Sequence, residues 1–132
     1  MRLRRPADDV VVCERVSMAE SFGERLMGLM GRASLTDGSG LWLRTSSIHM
    51  MFMRFPIDAL FISKADGRGT RRVVAVRPNL PPWRGIVMPV RGADGVVELP
   101  AGTLARHGVA VGDDLALEPG ESGRAGASPS GA

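Results

Sequence analysis

The stretch SIHMMFMRFPIDALFIS, residues 47–63, limits what this chain can fold into more than any other segment. Large apolar side chains fill most of its positions, and His49, Arg54 and Asp58 interrupt them. A short apolar run with neither helical nor alternating period fits strands covered on both faces. It predicts two strands, at about 47–54 and 57–63, in the middle of the core. Pro56 lies between them and has no N–H to donate, so it marks an edge, a bulge or a strand start. Asp58 is the odd residue. A charged carboxylate in such a run costs several kcal/mol unless it is paired or opens onto a cavity. Arg25, Arg54 and His49 are the candidate partners, and capping of turn amides is the alternative.

The remaining elements follow from local signals. Residues 9–16 carry the β-branched run of a first strand. Ser17-Met18-Ala19-Glu20 has capping-box spacing, and Met18, Phe22, Leu26 and Met30 recur every four residues, predicting a short amphipathic helix ended by Gly28 and Gly31. Leu41-Trp42-Leu43 resumes extended structure. Asp66-Gly67-Arg68-Gly69 predicts a hairpin-type connection into a strand at 71–77. Residues 78–85, PNLPPWRG, predict an irregular loop pinned by Trp83, because three prolines remove donors. Residues 86–90 and 96–99 read as strands joined across Asp94-Gly95. Thr103–His107 predicts a helical turn stopped by Gly108, and Asp114–Glu118 a last strand.

With 132 residues and 44% hydrophobic content the chain can form one core without staples. The expected layout is an extension at 1–8, a globular domain at 9–118 and a disordered tail at 119–132, where no large apolar residue occurs. The expected fold is mainly β: an antiparallel sandwich or barrel-like core of about eight short strands with one short N-terminal helix. One cysteine, Cys13, rules out an intramolecular disulfide and accords with a reducing compartment. Its expected role is a small buried hydrophobe. The basic start lacks the apolar segment of a signal peptide, and no run has the length of a membrane helix, so a cytoplasmic location is expected. The net charge of +3 comes with no tyrosine, four phenylalanines and two tryptophans. Single-strand binders interleave charge with stacking aromatics, so nucleic-acid binding is disfavoured.

His49 among methionines has the composition of a copper(I) ligand set, but methionine is also the ordinary filler of apolar cores. No metal or cofactor is expected. A convergence of His49, Asp58 and Glu98 would make an acid/base or metal site. The common nucleophile, zinc and nucleotide fingerprints are all absent from the sequence. His107 reads as a surface cation near a helix C-terminus.

Arg25-x-x-Gly28-Leu29-Met30, the block from Ile48 through Met53 followed by Phe55-Pro56-Ile57-Asp58 and Phe61, and Val97-Glu98-Leu99-Pro100-Ala101-Gly102 with Gly108 and Gly112-Asp113 resemble the bacterial and archaeal family called domain of unknown function 192. The resemblance covers roughly residues 15–117. It implies a mainly β, sandwich-type fold with a helix near the N-terminus and no established activity. Many relatives carry a secretion signal or a lipoprotein-like start. At His49 relatives often carry tryptophan or another residue, so a histidine-dependent mechanism would not be family-wide.

The leading expectation is a non-catalytic module that binds a small molecule or protein partner through Arg25, His49, Met51, Met53, Phe55, Asp58, Trp83 and Glu98. The rivals are a hydrolase or metal-assisted enzyme built on His49, Asp58 and Glu98, and a purely structural network of Arg25, Asp58 and Glu98.

Overall fold

Ile57, Ala59 and Phe61 lie on one face of a central strand and Leu60 and Ile62 on the other, and both faces are covered. This is the arrangement that an unbroken apolar run requires. The structure is a computed structural model describing residues 1–19, 37–49, 55–82 and 86–120, with the backbone alone at Ala19, Ile48, His49 and Ile86. Its strands are β1 (Arg2–Arg5), β2 (Val10–Cys13), β3 (Arg15–Ala19), β4 (Ser39–Leu43), β5 (Ile48–His49), β6 (Ile57–Ile62), β7 (Thr70–Leu80), β8 (Ile86–Val87), β9 (Gly95–Pro100) and β10 (Asp114–Glu118). The one helix among the described residues, α1, spans Thr103–His107.

Eight strands form one sheet in the order β2-β1-β10-β7-β6-β9-β4-β3, and β5 and β8 form a separate two-stranded ribbon. All pairs are antiparallel except β3–β4. The sheet curls so far that its edges approach each other. Val12 and Cys13 of one edge share an inner core with Val16 of the other edge and with Leu3, Leu60, Val97 and Leu115. No ladder closes it, yet Met1 and Val16 exchange backbone hydrogen bonds of 3.2 and 2.6 Å across the gap. A second, outer core of Leu43, Phe55, Ile57, Ala59, Phe61 and Val96 is covered by Val87 of the ribbon. The expected mainly β, barrel-like fold is present as an open sheet.

Local signals located several elements. Asp66 accepts from the amides of Arg68 and Thr70 at 2.8 and 3.0 Å, making the turn into β7. Helix α1 ends on Gly108 at φ 61°, and β10 has the predicted bounds.

Four expectations are corrected. Arg2–Arg5 is no extension: β1 pairs with both β10 and β2, and Leu3 is fully buried. Ser17 and Met18 do not start a helix. They lie in β3, paired with Leu41 and Trp42, because a strand partner supplies the hydrogen bonds that a cap would have satisfied. The rest of that predicted helix, with Phe22, Leu26 and Met30, lies outside the described residues. Pro78 and Asn79 belong to β7, where they stand together opposite Asp58 as a bulge, which needs no amide from proline. Segment 86–90 does not form a hairpin with β9: β8 pairs with β5, and β9 lies between β6 and β4.

The β1–β10 seam carries a charge cluster. Glu118 accepts from Arg2 at 2.8 Å and from Arg4 at 2.9 and 3.0 Å. The Arg4 hydrogen bonds hold its carboxyl below the usual glutamate value, against the opposing effect of burial and with further help from Arg2. A depressed folded-state value means stabilisation that is present above the unfolded pKa, about 4.3, and is lost as pH falls through the lower folded value. Urea midpoints measured from about pH 5 down to about pH 3 should therefore fall less steeply in Glu118→Gln than in the wild type. Parallel acid limbs would show that this cluster contributes nothing.

Candidate functional site

The carboxylate of Asp58 has no exposed surface, and its partners are backbone amides. Oδ1 accepts from Asn79 N at 2.9 Å, and Oδ2 accepts from Gly102 N at 3.1 Å and Leu104 N at 2.9 Å. Each donor is an amide that regular structure leaves over. Asn79 is the bulge residue, at φ 52°, and Gly102 and Leu104 lie at the start of α1, whose N-cap glycine has no side chain to offer. A residue in the middle of the sheet thus caps a helix far from it in sequence. Thr103 Oγ1 completes the junction by donating to Pro100 O at 2.7 Å. Among the described residues no arginine or histidine is a hydrogen-bond partner of Asp58.

Glu98 is equally inaccessible, at 0% exposure. It lies in β9 opposite Ala59 on one side and Leu41 on the other. Directly paired residues share a face and successive residues alternate. Asp58 pairs with Leu99 and Ala59 with Glu98, so the two carboxylates point to opposite faces. Asp58 faces the inner core and α1, and Glu98 faces the outer core and the ribbon. The expected clusters of His49, Asp58 and Glu98, and of Arg25, Asp58 and Glu98, therefore do not form around the two acids. Glu98 is not left without a partner.

The other candidates divide by location. The His49 backbone pairs with Ile86 at the end of the ribbon where the chain leaves β5 and enters β8. Phe55 is buried in the outer core and lines no surface. Arg25, Met51, Met53, Arg54 and Trp83 lie outside the described residues. Among the described residues no group of three His, Cys, Asp or Glu side chains is placed to hold a metal ion, and no helix is long and apolar enough to cross a membrane.

One concavity had no forewarning in the motifs. A cleft of about 270 Å³ is lined by Cys13, Glu14, Asp37, Thr103, Arg106 and His107, among others. Only the return of α1 onto β2 brings these residues together. Cys13 is 1% exposed, and its thiol donates to Gly38 O at 3.3 Å. Burial pushes this thiol up from its ordinary value, with the contact to Arg15 O opposing. A protonated, covered thiol is a poor nucleophile. Native protein at neutral pH should react with a disulfide reagent only at the rate at which it unfolds, and prompt stoichiometric labelling would contradict this.

The family model for DUF192, described as "uncharacterized ACR", matches residues 4–117. The chain belongs to this family. DUF192 relatives include a UPF0127 protein of Thermococcus sibiricus, 32% identical over 87% of this chain and 73% of its own length. Another, from Pyrococcus furiosus, is 36% identical over 76% of this chain and 84% of its own. Two crystal structures share the fold. A protein of unknown function from Novosphingobium aromaticivorans has a TM-score of 0.69 at 24% identity, covering 88% of this chain and 82% of that one. One from Sinorhizobium meliloti, described as a candidate transcription regulator, has a TM-score of 0.66 at 29% identity, covering 86% and 88%.

Proposed function

We propose that this DUF192 domain is a non-catalytic, ligand-binding β module whose site lies on the ribbon-bearing face of the sheet. Glu98 is its buried polar contact, and Arg25, His49, Met51, Met53 and Trp83 are the further candidates for it. Asp58, a candidate on sequence alone, is assigned to the scaffold. The observation that carries the proposal is the complete burial of Glu98 on that face, between Val97 and Leu99. A carboxylate in a central strand is costly to keep, and buried ionisable groups concentrate at functional sites. The opposite orientation of Asp58 supports binding over a paired acid/base enzyme.

The arginines favour a small-molecule or protein ligand over nucleic acid. Arg2 and Arg4 are committed to Glu118, Arg5 to Asp8, and Arg44 and Arg71 to Asp94, so these charges form no bare stripe for phosphates. The lone reduced Cys13 accords with a cytoplasmic setting.

Native mass spectrometry of protein purified without chelator tests the reading. Wild type is expected to carry a bound small-molecule mass that Glu98→Gln lacks, with the two proteins differing in stability by less than about 1 kcal/mol. If Glu98→Gln instead loses about 3 kcal/mol or more, Glu98 is a structural ion-pair member and the proposal fails.

A further inference from the structure

Of the large apolar side chains among the described residues, only four are exposed, and two of them share one groove. Met88, 73% exposed, and Val111, 62% exposed, line a shallow groove of about 530 Å³ between β7 and the segment following β8. Val74 and Val90 extend its apolar floor, and Arg77 and Arg91 also line it. Exposed apolar side chains scattered singly need no explanation, but a concave cluster of them marks an interaction surface.

The charges around the groove are one-sided. Among the described residues no carboxylate lines it. The nearby acids are committed elsewhere: Asp113 to Arg5, Asp114 to Arg72, and Asp94 to Arg44 and Arg71. Arg77 and Arg91 make no ion pair among the described residues, and both are exposed. Among the described residues the Arg77 guanidinium donates only to the neighbouring Val76 carbonyl, at 2.9 Å. An apolar floor beside two uncommitted guanidinium groups is complementary to a ligand that is apolar in the middle and anionic at its flanks.

We propose that this groove docks an extended segment of a partner protein in which carboxylates flank a large apolar side chain. The apolar side chain lies against Met88, Val90 and Val111, and the carboxylates reach Arg77 and Arg91. Glu98 does not line this groove, so the proposal stands or falls separately from the ligand site above.

The test is a selection of phage-displayed random peptides on the full chain, followed by titration of the strongest synthetic peptide by fluorescence anisotropy. The enriched sequences are expected to place Asp or Glu on both sides of Leu, Ile, Met or Phe. Affinity should fall about tenfold or more in Arg77→Glu/Arg91→Glu and in Met88→Asp, and should weaken with added salt. All three positions are exposed, so unchanged melting temperatures will show that the variants fold. Failure to enrich any sequence, enrichment of neutral or basic peptides, or unchanged affinity in the variants would overturn the proposal. Two further results would overturn it by naming another occupant. One is binding to mixed phosphatidylglycerol and phosphatidylcholine vesicles, without peptide binding, that the charge reversals abolish. The other is a concentration-dependent dimer that Met88→Asp dissociates.

Discussion

Asp58→Ala should lower the unfolding free energy by about 3–5 kcal/mol, the largest effect expected from a single polar substitution in this chain. The three amides of Asn79, Gly102 and Leu104 would lose together an acceptor that has no exposed surface of its own. Hydrogen bonds to a charged group contribute about 1.5–3 kcal/mol each, and their combined loss falls short of the sum because α1 can fray toward solvent. Asp58→Asn should cost less, about 2–3 kcal/mol, since its carbonyl oxygen still accepts while its NH2 confronts an amide donor. Urea unfolding followed by far-UV dichroism measures both, with the midpoint falling and the slope unchanged. An asparagine variant as stable as wild type, or more so, would return Asp58 to the list of site residues, because functional sites trade stability for activity.

The second large effect comes from a glycine. Gly95 begins β9 opposite Ile62, and a Cβ added there would run into Cη2 of Trp42 and lie 2.7 Å from its Cζ3 and 2.8 Å from the Leu43 carbonyl oxygen. Trp42 is held by core packing and by Arg71, whose guanidinium lies 4.8 Å over its ring. Neither the ring nor the backbone oxygen can give way cheaply. Gly95→Ala should therefore destabilise by about 3 kcal/mol, at the upper end of overpacking costs. In a Trp42→Leu background the same change should cost at least about 1 kcal/mol less, because the ring contact is gone and the carbonyl contact remains. Thermal melts of the four proteins give this coupling, and a Gly95→Ala variant within about 0.5 kcal/mol of wild type would refute the close approach.

These two positions differ in how far they could be read beforehand. Asp58 is conspicuous in sequence because a carboxylate within an apolar run needs partners. Which partners it has is invisible there, since they lie 21, 44 and 46 residues away and are amides left over by a bulge and a helix start. Gly95 looks like an ordinary turn residue beside Asp94, and only the stacking of Trp42 against it gives the missing side chain a purpose. Ser17 shows the reverse failure: a sound local capping signal lost to strand pairing with β4. Pro78 shows another, since a residue that cannot donate still fits a strand at a bulge.

What the sequence by itself determined was the apolar central strand β6, the turns at Asp66 and Gly108, the strand β10 and the mainly β character. Each depends on residues a few positions apart, where side-chain period, positive φ and missing donors act directly. The tertiary structure alone decided which edges of the sheet approach, that the first residues form a strand, and that Asp58 and Glu98 face opposite ways. Those outcomes follow from register between strands distant in sequence, and a shift of one residue would have reversed every one of those faces.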